Sequence, residues 1–309
     1  MDFSIGESCS MTDSRSPWLK FRRNPAAIVS AIILLCVALA AICGPALSPI
    51  GASEVTRSSF LPPSSQHLFG TDLNGRDLLY RVFLGARISL LVGVAGALVS
   101  FIVGIVYGIV AGYTGGRIDS VMMRFVDVLY SIPRLIFLLV LISALDPLLR
   151  RQMESHGLQG FIGYSKVILL ILSLGLTEWL TMARIIRGQV LGLKSQQFVL
   201  AARSIGQNHT NIIFRHLLPN LIGVALVYLT LTVPAVILDE SFLSFLGVGI
   251  QAPLASWGLL LSDAAQVINP IKGYWWLLAF PVVAMSLTLV ALNFLGDGLR
   301  DAFDPRQRK

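Results

Sequence analysis

Chemistry needs nucleophiles, acids, bases or metal ligands held at working distance, and this chain offers few of them. Its four histidines, His67, His156, His209 and His216, are spread over polar segments separated by long apolar runs, too far dispersed to share one metal. Of the three cysteines, Cys9, Cys36 and Cys43, the last two lie in one apolar run. Their seven-residue spacing puts them on the same side of a helix, yet too far apart for a disulfide. The chain has no G-x-x-x-x-G-K-[ST] loop to cradle nucleotide phosphates, no H-E-x-x-H and no G-x-S-x-G. These absences argue against an enzyme, and no cofactor is expected on this chain. One acid stands out. Glu178 falls near the middle of an apolar run. A charge at such depth costs about 2.5–3.5 kcal/mol, so it must line a cavity, meet a partner on another helix or be protonated. Asp239 and Glu240 lie near the end of another run and read as reaching the membrane interface. A single central acid is a poor proton relay, and no inverted repeat is visible between the two halves.

The elements that must position these residues are membrane helices. Of the 309 residues, 55% are hydrophobic and only 13% charged, too few charges to coat a soluble globule. Mean hydropathy is +0.74. A span needs about 20 apolar residues. Six segments qualify: Ala26–Leu47, Ile88–Gly112, Phe125–Leu145, Val167–Ile186, Leu217–Leu238 and Trp275–Leu295. The first is longer than a signal-peptide core and is followed by others. Residues 1–15 read as a polar tail, with Met11 an alternative start. The organisation expected is an N-terminal tail over 1–25, a first span over 26–47, an external loop over 48–87, a five-helix core over 88–297 and a tail over 298–309. That loop, with Pro62-Pro63, should be ordered by turns or docking rather than by a core. Within the core, a non-spanning loop over 189–216 mixes apolar and basic residues.

The net charge of +7 lies in short segments between the runs, which suits the positive-inside rule better than a nucleic-acid surface. Counting Lys and Arg near the helix ends places both termini in the cytoplasm. Arg117, Arg124, Arg184, Arg187, Lys194, Arg203 and Arg215 are then inside, and Arg57, Arg76, Arg81, Arg87, Arg150, Arg151, Lys166 and Lys272 outside. On the second span Gly96, Ser100, Gly104, Gly108 and Gly112 recur every four residues. That spacing lets another helix approach backbone to backbone, as a contact in a pore-forming bundle or as ordinary close packing. Pro133, Pro234 and Pro281 fall within or at the ends of spans and can bend them.

Gln197–Pro219 reads QFVLAARSIGQNHTNIIFRHLLP. Phe198, Ala201, Ala202 and Ile205 follow i, i+3, i+4, i+7, which predicts an apolar stripe on a short helix over Gln197–Ile205. Gly206 sits where such a helix ends in a left-handed residue. The stripe suits either another protein's groove, with Phe198 as anchor, or a bilayer surface with Lys194, Arg203 and Arg215 near lipid phosphates.

This segment resembles the cytoplasmic loop of permease subunits of ABC importers, the motif E-A-A, three residues, Gly, nine residues, I-x-L-P. Ala201-Ala202, Gly206, Leu218 and Pro219 match, while Leu200 replaces the Glu and His216 the Ile. HLFGTDLNGRDLLYRVFLGARISL, ESFLSFLGVGIQAPLASWG and NFLGDGLRDAFDPR are similar to the dipeptide/oligopeptide permease family, with Tyr80 where a Ser is usual. The resemblance spans nearly the whole chain after Phe21 and is greatest to the second permease of the pair.

The resemblance implies an all-α integral membrane protein with six transmembrane helices and the type I ABC importer permease fold, in a bacterial inner membrane. It implies a second homologous permease, two cytoplasmic ATPases carrying ATP-Mg, and an extracytoplasmic solute-binding protein that delivers peptides. Phe198, Ala201, Ala202, Ile205 and Gly206 carry over as the ATPase-docking positions. Alternating access driven by ATP is the mechanism implied. Nickel complexes or a peptide antibiotic are alternative cargoes. An ATP-independent channel or secondary transporter, and a membrane scaffold, are readings from other classes.

Overall fold

The computed structural model describes residues 21, 22, 24–47, 59–267 and 273–303. Most of the N-terminal tail with Cys9 and Met11, the loop before residue 59, Lys272 and the last six residues lie outside them. The described chain is all-helical, apart from one isolated bridge between Thr71 and Asp77. Helix α1 is Pro25–Leu47, α2 Leu78–Thr114, α3 Gly116–Ser131 and α4 Arg134–Ser155. Then come α5 (Ser165–Lys194), α6 (Gln197–Ser204), α7 (His209–Ile212), α8 (Leu218–Phe245), α9 (Trp257–Val267) and α10 (Trp276–Phe303). Five helical stretches, containing α1, α2, α5, α8 and α10, are long and apolar enough to cross a membrane, and α3 with α4 makes a sixth if the bent pair is one span.

The central layer is α2, which packs along α5 and α8. Helix α1 lies at the periphery against α10 and α2, and α4 covers α5. The glycine stripe explains the closeness of α2 and α5. A Cβ on Gly104 would stand 2.5 Å from Met182 Cβ, one on Gly108 2.7 Å from the Ala183 carbonyl, and one on Gly112 2.8 Å from Val190 Cβ. Gly96 faces Val236 of α8 as well, and Ser100 is fully buried between them. The stripe is therefore a contact within this chain.

Several boundaries differ from expectation. The span predicted over Phe125–Leu145 is two helices bent by 86°. Ile132 precedes Pro133, and the proline ring drives the residue before it out of the helical region. Ile132 is accordingly extended, with φ −81° and ψ 129°. Helix α2 begins at Leu78 rather than Ile88, because Asp77 caps it, accepting from Tyr80 N at 3.0 Å. Residues 189–194, expected in the non-spanning loop, continue α5, held by the fully buried Val190. At the C-terminus α10 runs on to Phe303 and takes in residues 298–303 of the expected tail.

Residues 59–77 close one end of the bundle. Phe60 stacks on Tyr274 at 4.4 Å and Phe69 on Phe280 at 3.8 Å. Asp72 accepts from the backbone N–H groups of Asn74 and Arg76, each at 2.8 Å, and from Arg81 at 2.7 Å. Arg81 also reaches Asp263 at 3.0 Å. Residues 59–77 are thus ordered by turns and by docking, while 48–58 of the expected external loop lie outside the described residues and 78–87 are helical. At the opposite end the chain returns through α6 and α7. Pro219 cannot donate to the carbonyl four residues back and its ring crowds it. The helix widens there into a π turn over Ile213–Leu217, and Asn220 Nδ2 donates to the His216 carbonyl at 2.6 Å.

Candidate functional site

The short helix α6 stands outside the long apolar helices. It ends in two paired hydrogen bonds, Gly206 N to Arg203 O at 2.9 Å and Gln207 N to Ala202 O at 3.1 Å. Together these form a Schellman cap, which requires the left-handed residue that Gly206 supplies at φ +77°. The predicted stripe divides. Val199 (fully buried) and Ala202 (4% exposed) turn inward onto Ile186 and Val190 of α5 and Ile212 of α7. Phe198, Ala201 and Ile205 remain outward, with Ile205 75% exposed. Ala202 is therefore part of the hold between α6 and its own chain, not of the outer face. Val199, which periodicity passed over, shares that role.

The two departures from the loop motif have definite surroundings. Leu200 is exposed on the outer side of α6 and adds an apolar side chain. His216 Nε2 meets Gln207 Oε1 at 2.9 Å, tying the π turn to the residue that closes the α6 cap. A ring of polar contacts secures the adjoining helix ends. Lys194 donates to the Tyr113 carbonyl at 2.5 Å, and Tyr113 Oη meets His209 Nδ1 at 2.7 Å.

A second set of charges lies within the spans. Arg134, the first residue of α4, pairs with both Glu178 of α5 and Asp239 of α8. These three side chains converge although they come from three helices. Glu178 also lines a cavity of about 130 Å³ together with Tyr130, Phe137, Thr177 and Thr181. Glu178 thus stands beside a cavity and in ion-pair range of Arg134, while its Oε1 makes no hydrogen bond. Arg134 was the missed member. Its signal was available, as an arginine next to Pro133 amid an apolar run.

Glu240 does not reach an interface. It is fully buried, accepting from Ser89 at 3.0 Å and Ser244 at 2.7 Å, while Ser89 Oγ accepts from Trp257 N at 3.3 Å. Asp239, its neighbour, points instead to Arg134.

These features define an all-helical integral membrane protein with a helical bundle and a capped amphipathic helix held beyond one end. Residues 104–309 match the family described as binding-protein-dependent transport system inner membrane component, and residues 15–63 match the N-terminal transmembrane domain of oligopeptide transport permease C. The chain belongs to this family of binding-protein-dependent transport permeases. It is 45% identical to the dipeptide transport system permease protein DppC of Bacillus subtilis (strain 168) over 97% of this chain and 88% of that one. It is likewise 45% identical to the oligopeptide transport system permease protein OppC of Escherichia coli (strain K12), over 96% of this chain and 93% of that one. The corresponding OppC of Bacillus subtilis is 40% identical over 94% of this chain and 89% of its own length.

Proposed function

We propose that this chain is the pore-forming subunit of an ATP-driven importer of dipeptides or oligopeptides, resident in a bacterial inner membrane with both termini in the cytoplasm. It is not itself catalytic. A second homologous permease completes the pore, an extracytoplasmic solute-binding protein delivers the peptide, and two cytoplasmic ATPase subunits bind ATP-Mg. The observation that carries the reading is the outer face of α6, where Phe198, Ala201 and Ile205 present apolar surface outside the spans on a helix fixed at its end by Gly206. The peptide cargo rests on the names of the relatives.

In this reading α6 is the handle. ATP closes the two ATPases, α6 moves with the groove that holds it, and the inward anchors Val199 and Ala202 carry the movement into α5 and α7. The pore then opens outward, and hydrolysis returns it.

The test is co-expression with the neighbouring permease and ATPase genes, purification as one complex, and peptide uptake by proteoliposomes supplied with the binding protein. Uptake should need ATP on the α6 side and a stable complex should contain both ATPases. Uptake by this chain alone in ATP-free vesicles would overturn the reading.

A further inference from the structure

The charges in the body of this protein are handled in three ways. Asp72 and Arg81 are sealed, at 3% and 4% exposure, and Glu240 is sealed among serines. The Arg134 cluster is not sealed. The Arg134 side chain is 37% exposed and borders the 130 Å³ cavity. A guanidinium within the spans is not left to lipid, so this face of α4 and α5 turns toward water, a polar solute or the second permease.

The cluster is also unbalanced. One guanidinium faces two carboxylates, and both are met by the same nitrogen, Nη2. Arg134 Nε is buried and donates to no acceptor. Neither acid therefore has the bidentate pairing that holds an Arg–carboxylate pair most firmly. One negative charge is left over in the cluster, at the edge of a pocket lined by Arg134 and Glu178, by the hydroxyls of Tyr130, Thr177 and Thr181, and otherwise by apolar side chains; Asp239 stands beside Arg134 outside that lining. Surplus negative charge and hydroxyl acceptors suit a small cation rather than an anion, and the apolar walls suit an apolar body attached to it.

A polar track leads from the pocket toward the α6 end. Helix α5 presents Glu178, Thr181, Arg184 and Arg187, and each meets a residue of α3 or α4. Thr181 meets Tyr130, Arg184 meets Asp127 at 2.6 Å, and Arg187 meets Asp119 at 2.6 Å. Arg184 also lies over the Tyr130 ring at 4.0 Å. A polar solute leaving the pocket in that direction passes hydroxyls and charges.

We propose that the Arg134–Glu178–Asp239 cluster at the edge of this pocket binds the α-ammonium of the cargo peptide during translocation, with Arg134 as the resident counter-ion that the ammonium displaces. This rests on the transport reading above. The Arg184 and Arg187 pairs then line the way out.

The experiment uses the assembled complex in proteoliposomes, with Cys9, Cys36 and Cys43 replaced by Ser and Thr181→Cys as the reporter. Its modification rate is measured with a cationic trimethylammonium-ethyl and an anionic sulfonatoethyl methanethiosulfonate, in the nucleotide-free and ATP-trapped states. The cationic reagent should react about tenfold faster, as expected where one sign of charge is focused in a cleft. Glu178→Gln together with Asp239→Asn should abolish that preference, and Arg134→Gln should enlarge it. A dipeptide with a free amino terminus should slow the reaction, and its N-acetylated form should not. No reaction in either state, or a preference untouched by neutralising both acids, overturns the proposal. So does absence of protection by a free dipeptide that the same vesicles take up with ATP. Failure of that uptake would instead count against the peptide reading itself, while the reagent preference still reports on the pocket.

Discussion

Ala201 and Ala202 are adjacent in sequence and opposite in surroundings, so one substitution made at each position separates docking from folding. Ala202 is 4% exposed and sits in a cluster with Ile186, Val190, Val199 and Ile212. A glutamate there must displace packed side chains, at about 1–3 kcal/mol, and strand a charge without a partner, at about 3–5 kcal/mol. The total of roughly 4–8 kcal/mol is a large share of the 5–15 kcal/mol that usually holds a fold together. Ala201 is exposed, and the same change there should cost within about 0.5 kcal/mol. The assay is the thermal aggregation midpoint of the purified chain in detergent, read beside ATPase co-purification and peptide uptake. Ala202→Glu should lower the midpoint and the yield of chain. Ala201→Glu should keep the midpoint and lose the ATPases and uptake. Equal loss of midpoint in both, or normal uptake by Ala201→Glu, would refute the division of α6 into an inner and an outer face.

Two further changes test the bundle. Gly104→Leu places a side chain where even a Cβ would lie 2.5 Å from Met182, so it should destabilise by about 3 kcal/mol, measured as a lowered midpoint, with Gly104→Ala intermediate. Arg81→Met leaves Asp72 and Asp263 facing one another without their shared cation, and should cost about 3–5 kcal/mol on the same assay, with faster proteolysis of residues 59–77.

Much of the fold was legible because lipid imposes a strong pattern on composition. Long apolar runs marked the spans, the four-residue glycine repeat marked the α2 contact face, and Gly206 marked the end of α6. The failures are local. Pro133 was visible as a possible bend, but whether a proline bends a span or breaks it depends on the packing of both halves. In α6 the apolar positions are dense enough that two stripes fit eight residues, and only the position of α5 decides that Val199 and Ala202 turn inward. The Arg134–Glu178–Asp239 and Glu240–Ser89 groupings join residues far apart in the chain, so neither spacing nor periodicity could pair them. Glu240 was assigned to an interface because one of the serines that enclose it, Ser89, lies on another helix, although Ser244 follows it by four residues on its own.

The π turn at Ile213–Leu217 has a consequence for the phase of everything beyond it. One extra residue in a helix rotates all later side chains by about 100° relative to those before it. Ile212 before the turn must face the α5 cluster, and Glu240 beyond it must face Ser89. An uninterrupted α-helix would offer a single phase to both ends. The wide turn beside Pro219 lets the two ends be set separately. It sets the phase between the α6–α7 cluster and the part of α8 that packs in the bundle. Removing one residue there should turn Asp239 and Glu240 away from their partners together, although the deletion lies at the opposite end of α8.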